Sequence, residues 1–400
     1  MNYNLDQTQK VKPMIKRQIA EELTATASEF PVVTITGPRQ SGKTTLARMH
    51  FPHYAYANLE TPEIRALATT DPNAFFSQFP PPVIIDEIQR VPELLSTIQV
   101  RADHTQQRGQ YILTGSHQPR LQATVAQSLA GRTALLRLLP LSISELEQTG
   151  ITCTRDEFIY RGFMPRLYDE NVDPTRLYRN YFQTYIERDI RQIINLKSLT
   201  DFENFMRLLA GRIGQILNLS SLANDAGVSS TTLKEWLSVL EASYIVFRLP
   251  PYFENFGKRV IKSPKIYFTD VGLVSYLLGI ESPEVTARDP LIGQLFENMV
   301  IIEALKSRLN AGKEPELYFY RDNSGNEVDL LFRKNRQIIP IEIKSAMTFN
   351  PDFAKGIAHF QKITSSKQKG HIIYAGELTP NLECASVLNF THTNTLFHKT

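Results

Sequence analysis

The 400 residues suffice for two or three domains, each with its own core. Hydrophobic residues make up 42% and charged residues 21%, an ordinary globular balance, and there is no run of about eighteen apolar residues to span a bilayer. The net charge of +3 is spread evenly, so bulk electrostatics does not mark a nucleic-acid binder and any such function must rest on local sites.

The opening stretch "MNYNLDQTQKVKPMIKRQIAEEL" has no apolar signal-peptide core, and the only cysteines, Cys153 and Cys384, lack metal-ligand spacing. A cytoplasmic protein without a membrane partner is expected. Over residues 1–150, apolar runs alternate with helical patterns: "VVTIT", "VIIDE" and "YILTGS" read as strands, the alternation of a parallel α/β sheet. "GPRQSGKTT" follows the first of them and fits G-x-x-x-x-G-K-[ST]. Gly37 and Gly42 let the backbone of Pro38, Arg39, Gln40 and Ser41 fold around phosphate oxygens. Lys43 supplies a cation to the β- and γ-phosphates, while the hydroxyl of Thr44, followed by Thr45, is a ligand for Mg²⁺. A helix starting at Lys43 aims its positive end at the anion. ATP with Mg²⁺ is therefore the expected cofactor pair.

In "VIIDE" the apolar residues bury a central strand, Asp86 emerges at its end to hold Mg²⁺, and Glu87 is placed to polarise the attacking water. Thr114 and Ser116 stand at the tip of the third strand, where a hydroxyl could orient that water. Arg132, after Gly131 and before the apolar "TALLRLL", is a candidate to reach a nucleotide on a neighbouring subunit; Arg188 is a second. A capping or solvated arginine is the plain alternative.

The pieces "GPRQSGKTTLA", "VIIDEIQRVPELL", "ILTGSHQ", "LAGRTALLRLLPLS", "RGFMPRLY", "YIERDI" and "IYFTDVGL" resemble the prokaryotic family of AAA+ P-loop ATPases followed by a domain of uncharacterised function. The resemblance implies ATP sites at subunit interfaces, and so a homo-oligomer, with a hexameric ring among the options.

From 151 to 284 the pattern is helical. Within it, "LSSLANDAGVSSTTLKEWL" reads as a helix, a turn at Gly227 and a second helix, followed by a strand, the order of a helix-turn-helix with a wing. Polar Ser230, Thr231, Thr232, Lys234 and Glu235 would enter a DNA groove, or the unit would pack against a neighbouring subunit.

A second α/β pattern fills 285–400: a helix carrying Glu297, then "ELYFYRD", "EVDLLF" and "QIIPIEIKS", a helix and "HIIYAG". Glu342 and Lys344 are two apart and share a strand face, and Asp329 on the adjoining strand can point to it. Asp329 and Glu342 could hold Mg²⁺ or Mn²⁺, with Glu297 on a helix over the sheet adding a third carboxylate to the catalytic cluster and Lys344 stabilising a hydroxide or a pentavalent phosphate. This order resembles the PD-(D/E)xK nuclease superfamily, with a restriction-endonuclease-like fold, although no Pro precedes Asp329 and Pro340 is expected to interrupt its strand. The resemblance implies DNA as partner, with RNA also compatible. The leading expectation is an oligomeric ATPase that binds and cuts DNA; the alternatives are an ATP-gated scaffold and a nucleic-acid translocase.

Overall fold

The computed structural model describes residues 14–105, 107–115, 129–186, 198–252 and 263–398. Its first sheet runs β2-β3-β4-β1-β5, with β1 Val32–Thr36, β2 Ala55–Asn58, β3 Val83–Asp86, β4 Tyr111–Thr114 and β5 Thr133–Arg137. Every pairing in it is parallel. Each residue of β1, β3 and β4 is buried, as central strands covered by helices on both faces require. The phosphate-loop residues and Asp86 lie at the carboxyl ends of these strands, where open α/β sheets place their ligands.

In the middle segment, the helix Leu199–Ala210 precedes the pair Leu219–Ala226 and Ser230–Ala242. Gly227 ends the first of that pair in the left-handed region, and the Ser229 hydroxyl caps the second. The expected turn is thus built as the sequence suggests. Two short antiparallel strands follow, β6 Val246–Leu249 and β7 Lys265–Phe268. On the outer edge of β7, Ile216 bridges to Lys265, while Phe268 pairs with a side chain: Asn298 accepts from Phe268 N at 2.8 Å and donates to Phe268 O at 2.9 Å.

The second five-stranded sheet is mixed, in the order β12-β11-β10-β9-β8. Strands β8 Leu317–Arg321, β9 Glu327–Lys334 and β10 Gln337–Lys344 are antiparallel, and β11 Gly370–Tyr374 and β12 Ala385–Asn389 continue in parallel. Asn335 and Arg336, both at positive φ, make the tight β9–β10 turn. Pro340 does not interrupt β10, contrary to expectation. It pairs with Leu331 on one side, and pairing to β11 starts only at Ile341, so the strand still has an open edge there.

The largest core is not divided along the chain. Leu139 and Leu141 from the end of the first segment join Phe202 and Trp236 of the middle segment, and Phe296, Phe332 and Phe397 of the last. At its centre lies the helix Ile292–Asn310, in which every residue from Asn298 to Asn310 is buried. Its charged groups are satisfied by the segment after β5. Glu303 accepts from Ile143 N at 2.8 Å, and the Lys306 ammonium donates to Leu141 O and to Glu303, each at 2.7 Å. Among the described residues, no helix is long and apolar enough to cross a membrane.

Candidate nucleotide and carboxylate sites

The nucleotide loop is closely held by its own backbone. Gly37 takes φ 150°, and a Cβ there would overlap the Leu138 carbonyl, while Gln40 and Gly42 occupy left-handed conformations. The buried Lys43 ammonium donates to Gly37 O at 3.1 Å and Pro38 O at 2.7 Å. Burial pulls its pKa down to about 8, against the pull of Glu87 and Asp86, with Arg39 adding to the fall. The Ser41 hydroxyl donates to Pro38 O, so Ser41 shapes the loop from inside. From outside, Arg17 donates to Ser41 O at 2.7 Å and Leu139 O at 2.7 Å, and pairs with the buried Glu145 at 3.1 Å. Arg39 stacks over the Tyr185 ring at 4.9 Å.

Asp86 receives hydrogen bonds from Thr44 Oγ1 at 3.0 Å, from Tyr56 OH at 2.9 Å and, at very short range, from Thr114. Among the described residues, then, hydroxyls surround a buried carboxylate, the oxygen-rich setting that suits Mg²⁺. Thr44 and Asp86 would hold the ion together, which would neutralise phosphate charge. The Thr114 hydroxyl is committed to Asp86 rather than turned to an attacking water. Glu87 follows in a left-handed conformation (φ 59°, ψ 44°), with its carboxylate close to the Gln89 amide. Thr45 lies beside the loop on the outer face of its helix, where it lines a cavity of about 530 Å³ with Ile15, Arg17, Gly42, Met49 and Pro165.

Arg132 is not brought to its own chain's loop. It precedes β5, at the amino end of the sheet, and is exposed in a two-pronged pair with Asp103 at 2.5 and 2.9 Å. Ser116 and Arg188 lie outside the described residues.

Asp329, Glu342 and Lys344 do meet. The device that aims Asp329 is a β-bulge: between Tyr318↔Leu331 and Tyr320↔Val328, Asp329 and Leu330 together oppose Phe319. Ladder pairing of β9 with β10 stops at Leu330↔Ile341, and the Asp329 carboxylate takes over by accepting from Ile343 N at 2.8 Å. Lys344 bridges the pair, 2.9 Å from Asp329 and 2.5 Å from Glu342. Burial pushes the Glu342 carboxyl up to about 9, and the charge of Asp329 adds to this. Burial works against the charge on Asp329 too, but Lys344 and Lys265 hold its carboxyl below the ordinary range. The helix Lys355–Thr364 covers Glu342 so closely that a Cβ at Gly356 would overlap its carboxylate.

Glu297 reaches the same region but spends its carboxylate elsewhere, on Lys265 Nζ at 2.9 Å and Tyr267 OH at 2.5 Å. Lys265, from β7, also makes a short pair with Glu327. Among the described residues, no group of three or more His, Cys, Asp or Glu side chains is arranged around a metal position. What the structure brings together here is two carboxylates, Asp329 and Glu342, with the Lys344 ammonium between them.

Sequence reasoning passed over Lys265, Arg17 and Asp270. Asp270 caps the helix Val271–Leu278 and accepts from Phe163 N at 3.3 Å and Tyr178 OH at 2.9 Å, so "RGFMPRLY" and "IYFTDVGL" are halves of one structural contact. Gly162 and Gly272 have no room for a Cβ in it.

The parallel sheet, the glycine-rich loop closing on Lys43 and the Thr44–Asp86 pair define a P-loop ATPase, and the AAA domain model matches residues 29–147. Two further models match: Domain of unknown function (DUF8612) at 154–284 and Domain of unknown function (DUF4143) at 292–392. Uncharacterized proteins of Mycobacterium tuberculosis and Mycobacterium bovis are each 32% identical over 339 residues, covering 83% of this chain and 74% of theirs. The chain belongs to the same family as these two proteins. A Walker-type ATPase of Pyrococcus abyssi aligns with 65% of this chain and 94% of its own at 13% identity and a TM-score of 0.44, a likeness too slight to carry an argument.

Proposed function

We propose that ATP hydrolysis in the AAA domain controls a carboxylate–lysine site in the C-terminal domain, and that this site cleaves phosphodiester bonds in DNA. The observation that carries the reading is the meeting of Asp329, Glu342 and Lys344 where the β9–β10 ladder ends, beside the β8–β9 bulge, one residue type for each task. Asp329 and Glu342 would hold Mg²⁺ or Mn²⁺, which supplies Lewis acidity and lowers the pKa of water. Lys344 would face the negative charge developing on the phosphoryl oxygens. In the AAA domain, Lys43 would hold the β- and γ-phosphates, Glu87 would accept a proton from water, and the cavity beside Thr45 would receive the base. Arg132, exposed and away from its own loop, would act on a neighbouring subunit's nucleotide, which makes an oligomer part of the reading.

A second reading, a nucleotide-gated scaffold, draws on the tie of Lys344 to both carboxylates and of Glu297 to Lys265. One assay separates them. Purified protein is incubated with single-stranded, nicked and branched DNA and with RNA, in Mg²⁺ or Mn²⁺, with and without ATP, beside Asp329→Ala and Lys43→Ala. Cleavage lost in Asp329→Ala supports the nuclease, and its loss in Lys43→Ala supports control by ATP. No cleavage of any substrate, with ATP hydrolysis intact, leaves the scaffold.

A further inference from the structure

Lys265 and Tyr244 lie outside every motif, yet they stand at opposite ends of the β6–β7 pair. At one end, the Tyr244 hydroxyl is 3.1 Å from Thr36 Oγ1, the residue that immediately precedes Gly37 of the nucleotide loop. Tyr244 sits in a left-handed turn, and its carbonyl accepts from Thr269 Oγ1 at 2.5 Å, just beyond β7. Ile245 O accepts from Thr269 N at 3.0 Å, so the turn and the pair move as one piece. Four residues of strand, about 13 Å at ~3.3 Å per residue, separate the ends.

At the other end Leu249 faces Lys265 in the register. Here the strands are fastened to the C-terminal sheet: Phe319 N donates to Pro250 O at 3.1 Å, and Tyr252 N to Phe319 O at 2.8 Å. Phe319 is the residue opposite the bulge that aims Asp329. The Lys265 side chain, 3% exposed, runs into the acidic cluster and pairs with Glu297 and Glu327. A buried ammonium between two carboxylates occupies the charge position of a cation.

We infer that Lys265 is an internal counter-ion that holds the C-terminal carboxylate site closed, and that nucleotide binding at the loop withdraws it through Thr36, Tyr244 and the β6–β7 pair. The inference rests on the proposed role of the Asp329–Glu342 site and adds its regulation. Lys265 is a positioning residue: it holds Glu297 and Glu327 beside the Asp329–Glu342 pair and touches no phosphate. The coupling element is short and bonded at both ends, so a shift of the loop need not cross a compliant segment to reach the cluster.

The test is lysine footprinting of the full chain with an acetylating ester, read by mass spectrometry. It compares protein alone, with ADP and with a non-hydrolysable ATP analogue, in wild type, Tyr244→Phe and Lys43→Ala. Thermal melting and binding of a fluorescent nucleotide establish that Tyr244→Phe is folded and loads. Lys265 is expected to be protected without nucleotide and labelled several-fold more with the analogue in wild type. Tyr244→Phe, which keeps the ring and loses the hydroxyl, is expected to bind the analogue without that rise. Unchanged labelling in nucleotide-loaded wild type, or an equal rise in Tyr244→Phe, overturns the inference. The readout does not depend on cleavage: no cutting with the labelling change intact defeats the nuclease reading alone.

Discussion

At the scale of single residues, Lys43 gives a pH dependence whose sign can be worked out. Burial lowers its pKa to about 8, and phosphate charge favours the protonated form. Below pH 8 the cation is already present. Above it, binding must take up a proton, so affinity for ATP is expected to weaken by up to about tenfold per pH unit. Titration of a fluorescent ATP analogue between pH 7 and 9.5 checks this, and a flat profile would place the Lys43 pKa elsewhere. Glu87→Gln keeps the shape and tests the proposed base. Its turnover is expected to fall by about 10²- to 10⁴-fold with nucleotide affinity unchanged, measured by phosphate release and equilibrium binding. In the C-terminal pair, the elevated Glu342 carboxyl carries its proton in the folded chain at pH 7 and loses it on unfolding. That linkage weakens stability as pH rises from the unfolded value towards about 9. Glu342→Gln is therefore expected to flatten the Tm profile over that window, whereas Asp329→Ala strands Ile343 N–H, leaves Lys344 with Glu342 alone and costs roughly 1–3 kcal/mol in denaturant unfolding.

At the scale of elements, Gly356 lets the helix Lys355–Thr364 rest directly on β10. Gly356→Ala must lift that helix or displace Glu342, at a cost of about 1–3 kcal/mol, and is expected to lower Tm and impair the carboxylate site together. Legibility differed between the two sheets for a physical reason. In the first, short contiguous motifs carry the signal, so Gly37, Lys43 and Thr44 could be read from the loop's spacing and Asp86 from the end of "VIIDE", and the fold brings them together. In the second, placement depends on register. Alternation predicts faces only while pairing is regular, and the bulge at Asp329–Leu330 carries no residue pattern of its own. Pro340 stays within β10 against the sequence expectation because a proline's tolerance depends on which neighbours the strand has, which sequence does not display. Lys265 was invisible since an isolated lysine before "IYF" resembles any surface charge; only the assembled sheets show it at 3% exposure.

At the scale of the whole molecule, Arg132 supplies the sharpest expectation. Its present partner, Asp103, is exposed on the same chain, so Arg132→Ala should fold and load nucleotide normally. If its guanidinium completes a neighbour's site, hydrolysis should fall on the order of 10³-fold. Mixing Arg132→Ala with Lys43→Ala subunits should then restore part of the activity, since each supplies what the other lacks. Light scattering in parallel gives the subunit number. Failure of the mixture to recover, with assembly intact, would remove Arg132 from catalysis.

The buried helix Ile292–Asn310 also constrains how such a chain can be inherited. Matches to separate domain models meet near its start, which suggests modules that could be exchanged. Yet Glu303 and Lys306 on that helix satisfy Ile143 N and Leu141 O of the ATPase segment, and its apolar faces belong to one continuous core. Transplanted beside a foreign ATPase, the C-terminal segment would carry a paired buried charge with no carbonyl to receive it. The segments are thus bound to change together, and recombination across residue 291 should succeed only between parents that already share this helix's face.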